Sequence, residues 1–318
     1  MSEFADKRMP GGTRDFVGYG RYAPRVGWPG GARVAVNLVL NYEEGAEYSL
    51  PSGDNRQEGF TEYDSAPTDP GIRDLAAESV YEYGSRAGVW RLARIFEQQQ
   101  VPVTVSACAV ALERNPEVAA WIRESGHDTM AHGWRWSEVW TMTRDEERAE
   151  IAKAVEGIER LTGTRPVGWN SRYGPSVHTR ELLVEEGGFI YDSDAYNDDL
   201  PYFTSVGGRR HLVIPYTKTY NDTRFVLAQG FGTPDHFLAT CRRALDLLWE
   251  EGEEAPKMMS IGLHARIMGQ AARASALRDF IAYALARPGV AFMRRSDIAA
   301  WWLEQAGRLE DAGQGGHA

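Results

Sequence analysis

The strongest constraint on the fold is a repeated alternation of short, nearly continuous apolar runs with longer helical stretches. Arg33 to Leu40 (RVAVNLVL) lacks the in-out alternation of a strand with one wet face, so it reads as a parallel strand covered on both sides. The alternation then repeats down the chain. Ala87 to Gln99 carries Val89, Leu92, Ala93 and Phe96 on one helical face, Val101 to Val110 reads as a strand, and Asn115-Pro116 opens a helix that stops at Gly126. His127 to His132 is a short strand, and Thr143 to Glu146 is a capping box ahead of the stripe Ile151, Val155, Ile158, Leu161. Pro166 to Asn170, Phe189 to Asp192, Lys257 to Leu263 and Val290 to Met293 are further strands. Helices over Thr179 to Glu186, Thr233 to Glu251, Ala271 to Arg287 and Ser296 to Gln305 separate or follow them. Leu212 to Tyr216 and Arg224 to Leu227 read as short extended runs. Some seven such β/α units imply a parallel sheet covered by helices, and with so many units a closed barrel is favoured over an open sheet. In such barrels the chemistry sits on the loops that follow the strands.

Residues 1–30, rich in Gly, Pro and Arg, form an N-terminal arm in this reading; 31–306 form one barrel domain and 307–318 a flexible tail. The polar stretch from Glu44 to about Ser79 is long for a loop in a compact domain, which marks it as functional. With 35 Lys and Arg against 45 Asp and Glu, the net charge of −10 argues against duplex nucleic acid or an anionic membrane as partner. The expected partner is a small-molecule substrate. Two cysteines, Cys108 and Cys241, are too few for a disulfide framework and read as buried thiols. The N-terminal residues show no apolar signal core and no run approaches the roughly 20 residues of a membrane span, so a cytoplasmic location is expected.

The polar residues behind the strands form a pattern. Asn41-Tyr42-Glu43-Glu44-Gly45 follows the first, His132-Gly133-Trp134-Arg135-Trp136 the third, Ser171-Arg172-Tyr173-Gly174 the fourth, and Leu263-His264-Ala265-Arg266 the one near the C-terminus. A barrel would bring these carboxylates, histidines and cations to one rim. Such a set can hydrolyse an amide-like bond: a carboxylate takes a proton from water, an imidazole returns one to the leaving nitrogen, and a cation steadies the oxyanion.

In order and type these motifs resemble the polysaccharide deacetylase family, whose fold is a distorted seven-fold (β/α) barrel. The resemblance gives Glu43 the place of the catalytic base and Glu44 that of a metal ligand. The family's second motif carries two histidines four residues apart, both metal ligands; here His132 is followed at that spacing by Trp136, and an indole cannot take that role. These departures, with Arg14 to Arg21, Tyr81 to Gly88 and Tyr191 to Tyr202, are similar to the metal-independent allantoinase and cyclic-imide hydrolase branch. The resemblance implies no metal; were one bound, Glu44 and His132 would hold it.

On this reading Glu43, with Glu44, activates water, Arg172 orients the base and His264 protonates nitrogen. His132 is a substrate contact or oxyanion donor, and Trp136 and Tyr173 wall the pocket. Asp194 and Asp198, in the acidic run from Asp192 to Asp199, are taken as substrate-binding residues that order the rim; His127 is structural. The loop Asn170 to Thr179 differs from the usual allantoinase sequence, which leaves the ring substrate open. A metal-dependent N-deacetylase of an acetylated amino sugar and a non-catalytic binding protein are the alternatives. Family resemblance implies a homo-oligomer.

Overall fold

In the computed structural model, residues 14–21, 23–59, 69 and 71–314 are described. Strand β1, Val34–Tyr42, is the centre of the molecule and is buried along its whole length. It pairs in parallel with β2 (Thr104–Ala107), β8 (Lys257–His264) and β9 (Val290–Phe292). From β2 the parallel sheet continues through β3 (Asp128–Ala131), β4 (Gly168–Trp169) and β5 (Tyr191–Asp192) to β7 (Arg209–Val213). The pleat explains why β1 reads as continuous apolar sequence. Val34, Val36, Leu38, Leu40 and Tyr42 face the helices, while Ala35 and Val39 face the barrel interior with Met130, Tyr191, Leu212 and Met258. Asn37 and Asn41 share that inner face, since side chains two apart point the same way.

The expected β/α barrel is present, with three local differences. First, β6 (Tyr202–Val206) and β7 form an antiparallel hairpin rather than another β/α unit. Its two-residue turn is Gly207-Gly208, both with positive φ, as a tight hairpin requires. Second, Arg224 to Leu227 is not extended: Asp222–Phe225 is a short 3₁₀ turn, because the Asn221 side chain accepts from Thr223 N and starts it. Third, the polar stretch 44–79 ends in a helix, Leu75–Tyr83, whose N-terminus is capped by Asp74.

The barrel does not close by strand pairing between β7 and β8. Irregular chain fills the gap instead: Met258 N donates to Asp199 O (2.9 Å) and Gly262 N to Tyr220 O (3.0 Å). The last helix, Arg295–Gln314, runs past the boundary drawn at residue 306, and Trp28 before β1 is buried, with its indole N–H on Lys257 O at 2.7 Å. Among the described residues no helix is long and apolar enough to cross a membrane.

Candidate active site

The C-terminal ends of β1, β3, β4 and β8 meet around one pocket of about 210 Å³, lined among others by Asn41, Glu43, His132, Trp136, Tyr173, Tyr216 and His264. Glu43 is its chemical centre. Asn41 and His264 are register partners on β1 and β8, which brings the residue just past β1 beside the last residue of β8. Glu43 Oε1 lies 3.5 Å from His264 Nε2 and 3.2 Å from His132 Nε2, while Oε2 accepts from the Arg266 guanidinium at 2.8 Å. Burial works against the charge on Glu43, but Arg266 and His264 outweigh it and hold the carboxyl well below the usual range.

His264 is held from behind by Asp222. Its Nδ1–H donates to Asp222 Oδ1 at 2.6 Å, and its backbone N–H donates to Asp222 Oδ2 at 2.7 Å. This fixes the ring so that Nε2 faces Glu43. Burial would lower the imidazolium, yet the Asp222 and Glu43 carboxylates push it up to about 9.

His132 has a different environment. Its Nδ1 lies 2.6 Å from Asn170 O, and a carbonyl only accepts, so Nδ1 carries the hydrogen. In the neutral ring Nε2 then offers a lone pair, and the Trp136 indole N–H fills it at 3.2 Å. That lone pair is the one a metal would need. Glu44, the other residue to which the resemblance gives a metal, is fully buried and turned from the pocket, with its oxygens on Arg266 N (3.0 Å) and Glu43 N (3.1 Å). The donors present do not fit a metal at this place, and among the described residues no group of three or more His, Cys, Asp or Glu is arranged to hold one. Glu44 is also no match for the water-activating role. Its oxygens are committed to backbone N–H groups and it does not line the pocket, so neither faces a substrate water.

Three further sequence assignments are corrected by the geometry. Arg172 does not orient Glu43. Its guanidinium lies on the ring of Trp136 (3.8 Å to the centroid) and pairs with Glu58 at 2.9 Å and Glu138 at 3.5 Å, so the indole is between it and the pocket wall. Arg266 holds the base instead. Asp194 does not line the pocket; it accepts from Ser171 N and Ser171 Oγ, both 2.7 Å, and from Asn170 Nδ2 at 3.1 Å, which positions the loop after β4. Asp198 caps Leu200 N (3.0 Å) and borders a separate cavity between Tyr196 and Ser260. Tyr173 does line the pocket, with a backbone φ of 58°, unusual for a bulky residue, and its ring 5.6 Å from that of Trp136. His127 lies away from the pocket against Trp121 and Phe96.

Asp222 and Arg266 escaped sequence reading. Asn221-Asp222-Thr223 reads locally as a turn start, and nothing in it points to a histidine 42 residues on. Arg266, two residues past His264, was visible only as one more charge in that motif.

Comparison with known proteins agrees with this architecture. A family model described as polysaccharide deacetylase matches residues 76–189. A putative polysaccharide deacetylase of Schizosaccharomyces pombe is 35% identical over 310 residues, spanning 91% of this chain and 97% of the relative. Among solved structures, a probable polysaccharide deacetylase from Pseudomonas aeruginosa PAO1 is 48% identical with a TM-score of 0.87, covering 91% of this chain and 97% of that one. PuuE allantoinase is 47% identical with a TM-score of 0.87, covering 91% and 96%.

Proposed function

The chain belongs to the polysaccharide deacetylase family, and from that premise we propose that it hydrolyses a non-peptide C–N bond by opening a small cyclic amide, ureide or imide without a metal. The observation that carries this reading is the buried pair of Glu43 and His264, Nε2 and Oε1 3.5 Å apart, in a pocket where Trp136 occupies the histidine lone pair a metal would use. The likeness to PuuE allantoinase supports the substrate class.

In the resting site Glu43 is a carboxylate and His264 an imidazolium. Glu43 takes a proton from water as the oxygen attacks the ring carbonyl carbon, giving a tetrahedral intermediate. The C–N bond then breaks while the Nε2–H of His264 protonates the departing nitrogen, so one opened product carries a carboxylic acid at one end and, at the other, the freed nitrogen as an amine, urea or amide according to the ring. Glu43 now carries a proton and His264 has lost one; at their separation, transfer back restores the starting state. Asp222 holds the Nδ1–H of His264 and supports the imidazolium, whose Nε2–H faces Glu43, and Arg266 keeps Glu43 ionised. His132, its Nε2 beside both Glu43 and the Trp136 indole, contacts substrate, and Tyr173 closes the outer wall.

The reading includes a cytoplasmic homo-oligomer acting on a small soluble substrate, its subunit number measurable by light scattering. The test of the chemistry is ring opening of allantoin, hydantoin and succinimide by pure protein with and without chelator. Turnover of at least one ring, unchanged by chelator, is expected. Failure to open any of them, or activity on acetylated amino sugars that chelator abolishes, would replace this function with deacetylation.

A further inference from the structure

The floor of the pocket has an unused donor and an unused acceptor side by side. Asn41 Nδ2 donates to Leu263 O at 3.1 Å and to Tyr216 Oη at 2.8 Å. A backbone carbonyl only accepts, so the Leu263 contact fixes which end of the Asn41 amide is NH₂. Asn221 also points its Nδ2 at Tyr216 Oη (3.4 Å), its Oδ1 being taken by Thr223 N and Thr223 Oγ1. Tyr216 Oη thus receives from two amide groups that cannot accept in return. Among the described residues its own hydrogen meets no acceptor, which leaves it for the pocket that Asn41, Tyr216 and Asn221 all line. Burial raises the Tyr216 phenol, so it stays a donor. Asn41 Oδ1, the other end of an amide whose hydrogens are both spent, is left as an acceptor on the same surface.

The placement relative to the reacting groups follows from the strands. Asn41 precedes Glu43 by two residues and Gly262 precedes His264 by two, on the inner faces of β1 and β8. A β-carbon at Gly262 would overlap Tyr216 Oη and Asn221 Nδ2, so the glycine leaves the space into which the hydroxyl fits. Asn41 therefore lies one pleat repeat, about 7 Å, before Glu43 and level with its register partner His264, while Gly262, against which Tyr216 Oη fits, lies one repeat before His264. Arg295 holds this floor from beneath, donating to Ile214 O and Pro215 O at 3.0 Å each, with its guanidinium 5.4 Å from the Tyr216 ring centroid.

We propose that Tyr216 Oη–H and Asn41 Oδ1 together read the adjacent C=O and N–H of a cis amide edge, making them specificity-determining residues for a ring with a free N–H beside a carbonyl. This rests on the ring-opening reading. An amide inside a small ring is held cis and shows both groups on one side. An open-chain secondary amide is trans and shows them on opposite sides, so the floor selects against an N-acetyl group.

The experiment compares hydantoin with its derivative methylated on the ring nitrogen outside the cleaved bond, which leaves the reacting amide intact. Both kcat/KM and Kd, the latter from quenching of tryptophan fluorescence, are measured for wild type, Tyr216→Phe and Gly262→Ala. Wild type is expected to prefer the unmethylated ring by about 100-fold, because the methyl group leaves Asn41 Oδ1 buried without its donor. Tyr216→Phe should weaken hydantoin about 10- to 100-fold while shrinking that preference, and Gly262→Ala, which displaces the hydroxyl, should do the same. The preference is a ratio within one protein and is independent of the fraction folded; where a variant is inactive, the Kd ratio decides. Equal use of both rings by wild type, or an undiminished preference in Tyr216→Phe, overturns the inference and leaves ring opening standing. Wild type that opens neither ring overturns the ring-opening reading and this inference with it.

Discussion

The arrangement at Glu43 and His264 requires the two side chains to hold opposite charges, and this sets the pH dependence. The histidine is raised from 6.5 to about 9 by Asp222 and Glu43, and the carboxyl is depressed. The active form therefore persists from mildly acidic pH up to the imidazolium pKa, and kcat/KM should fall about tenfold per pH unit above about 9. Asp222→Asn removes the strongest support for the charge, so the alkaline limb should move toward neutrality in a pH–rate profile. The same sign governs stability: the His264 contribution is complete below 6.5 and is lost as pH rises through about 9. Arg172 and Arg266 can be separated in the same measurement. Arg266→Met should raise the pKa of Glu43 and bring an acid limb into view, with a loss of about 100-fold or more in kcat. Arg172→Met, which leaves the partners of Glu43 in place, should keep the limbs where they were and raise KM through the loosened Trp136 wall. Glu43→Gln should cost about 10²- to 10⁴-fold in kcat with a near-normal melting temperature, since the amide fills the same space.

At the level of elements, the rim owes its geometry to a wide π-type turn, Gly84–Gly88, inserted between the helices Leu75–Tyr83 and Val89–Gln99. Such turns carry an extra residue and recur at functional sites. Here the turn brings backbone against the rim. A β-carbon at Gly84 would stand 2.6 Å from Glu44 Oε1 and 2.8 Å from Arg266 N, and one at Gly88 would run into Ala265 O. Gly84→Ala should thus push Arg266 off Glu43 and cost activity more than stability. Gly88→Ala, pressing on rigid backbone, should cost about 1–3 kcal/mol in thermal melts. Sequence reading found the helix after the turn but not the helix before it. Leu75 to Tyr83 has exposed Leu75 and mostly polar or small neighbours, so its apolar stripe is thin, and its clearest mark is the Asp74 cap. The strands that hold Glu43 and His264 were legible because parallel strands buried on both faces are largely apolar, whereas the one ahead of His132, Asp128-Thr129-Met130-Ala131, was marked by the helix stop at Gly126 before it. The partners Asp222 and Arg266 were not, because pairing across β8 depends on where an irregular segment comes to rest, and no local pattern encodes that.

For the molecule as a whole, the gap between β7 and β8 decides whether the rim holds together. Alternating β/α sequence foretold a barrel but not where it would fail to pair, since a polar, irregular run such as 214–222 has no period to read. The seam is clamped by Arg295, fully buried at the start of the last helix, which donates to Ile214 O, Pro215 O and Ser260 Oγ (2.9 Å) and takes Thr104 Oγ1 on its backbone N–H at 2.8 Å. Burial lowers its pKa, and no carboxylate is within salt-bridge distance among the described residues, so carbonyl oxygens carry the compensation. Arg295→Met leaves two carbonyls in the interior without their donor and should cost about 3 kcal/mol or more. The loss should also be local before it is global. Amides of the seam, Gly262 on Tyr220 O and Tyr216 on Ala195 O, should exchange with deuterium much faster in the variant, while those joining β1 to β2 and β2 to β3 keep their protection. Because Tyr216 reaches the pocket from this seam and Asp222 holds His264 from it, KM should rise along with seam exchange. Uniform acceleration across all strands would instead mean that Arg295 stabilises the barrel as one unit and that the seam is not a separate hinge of the active site.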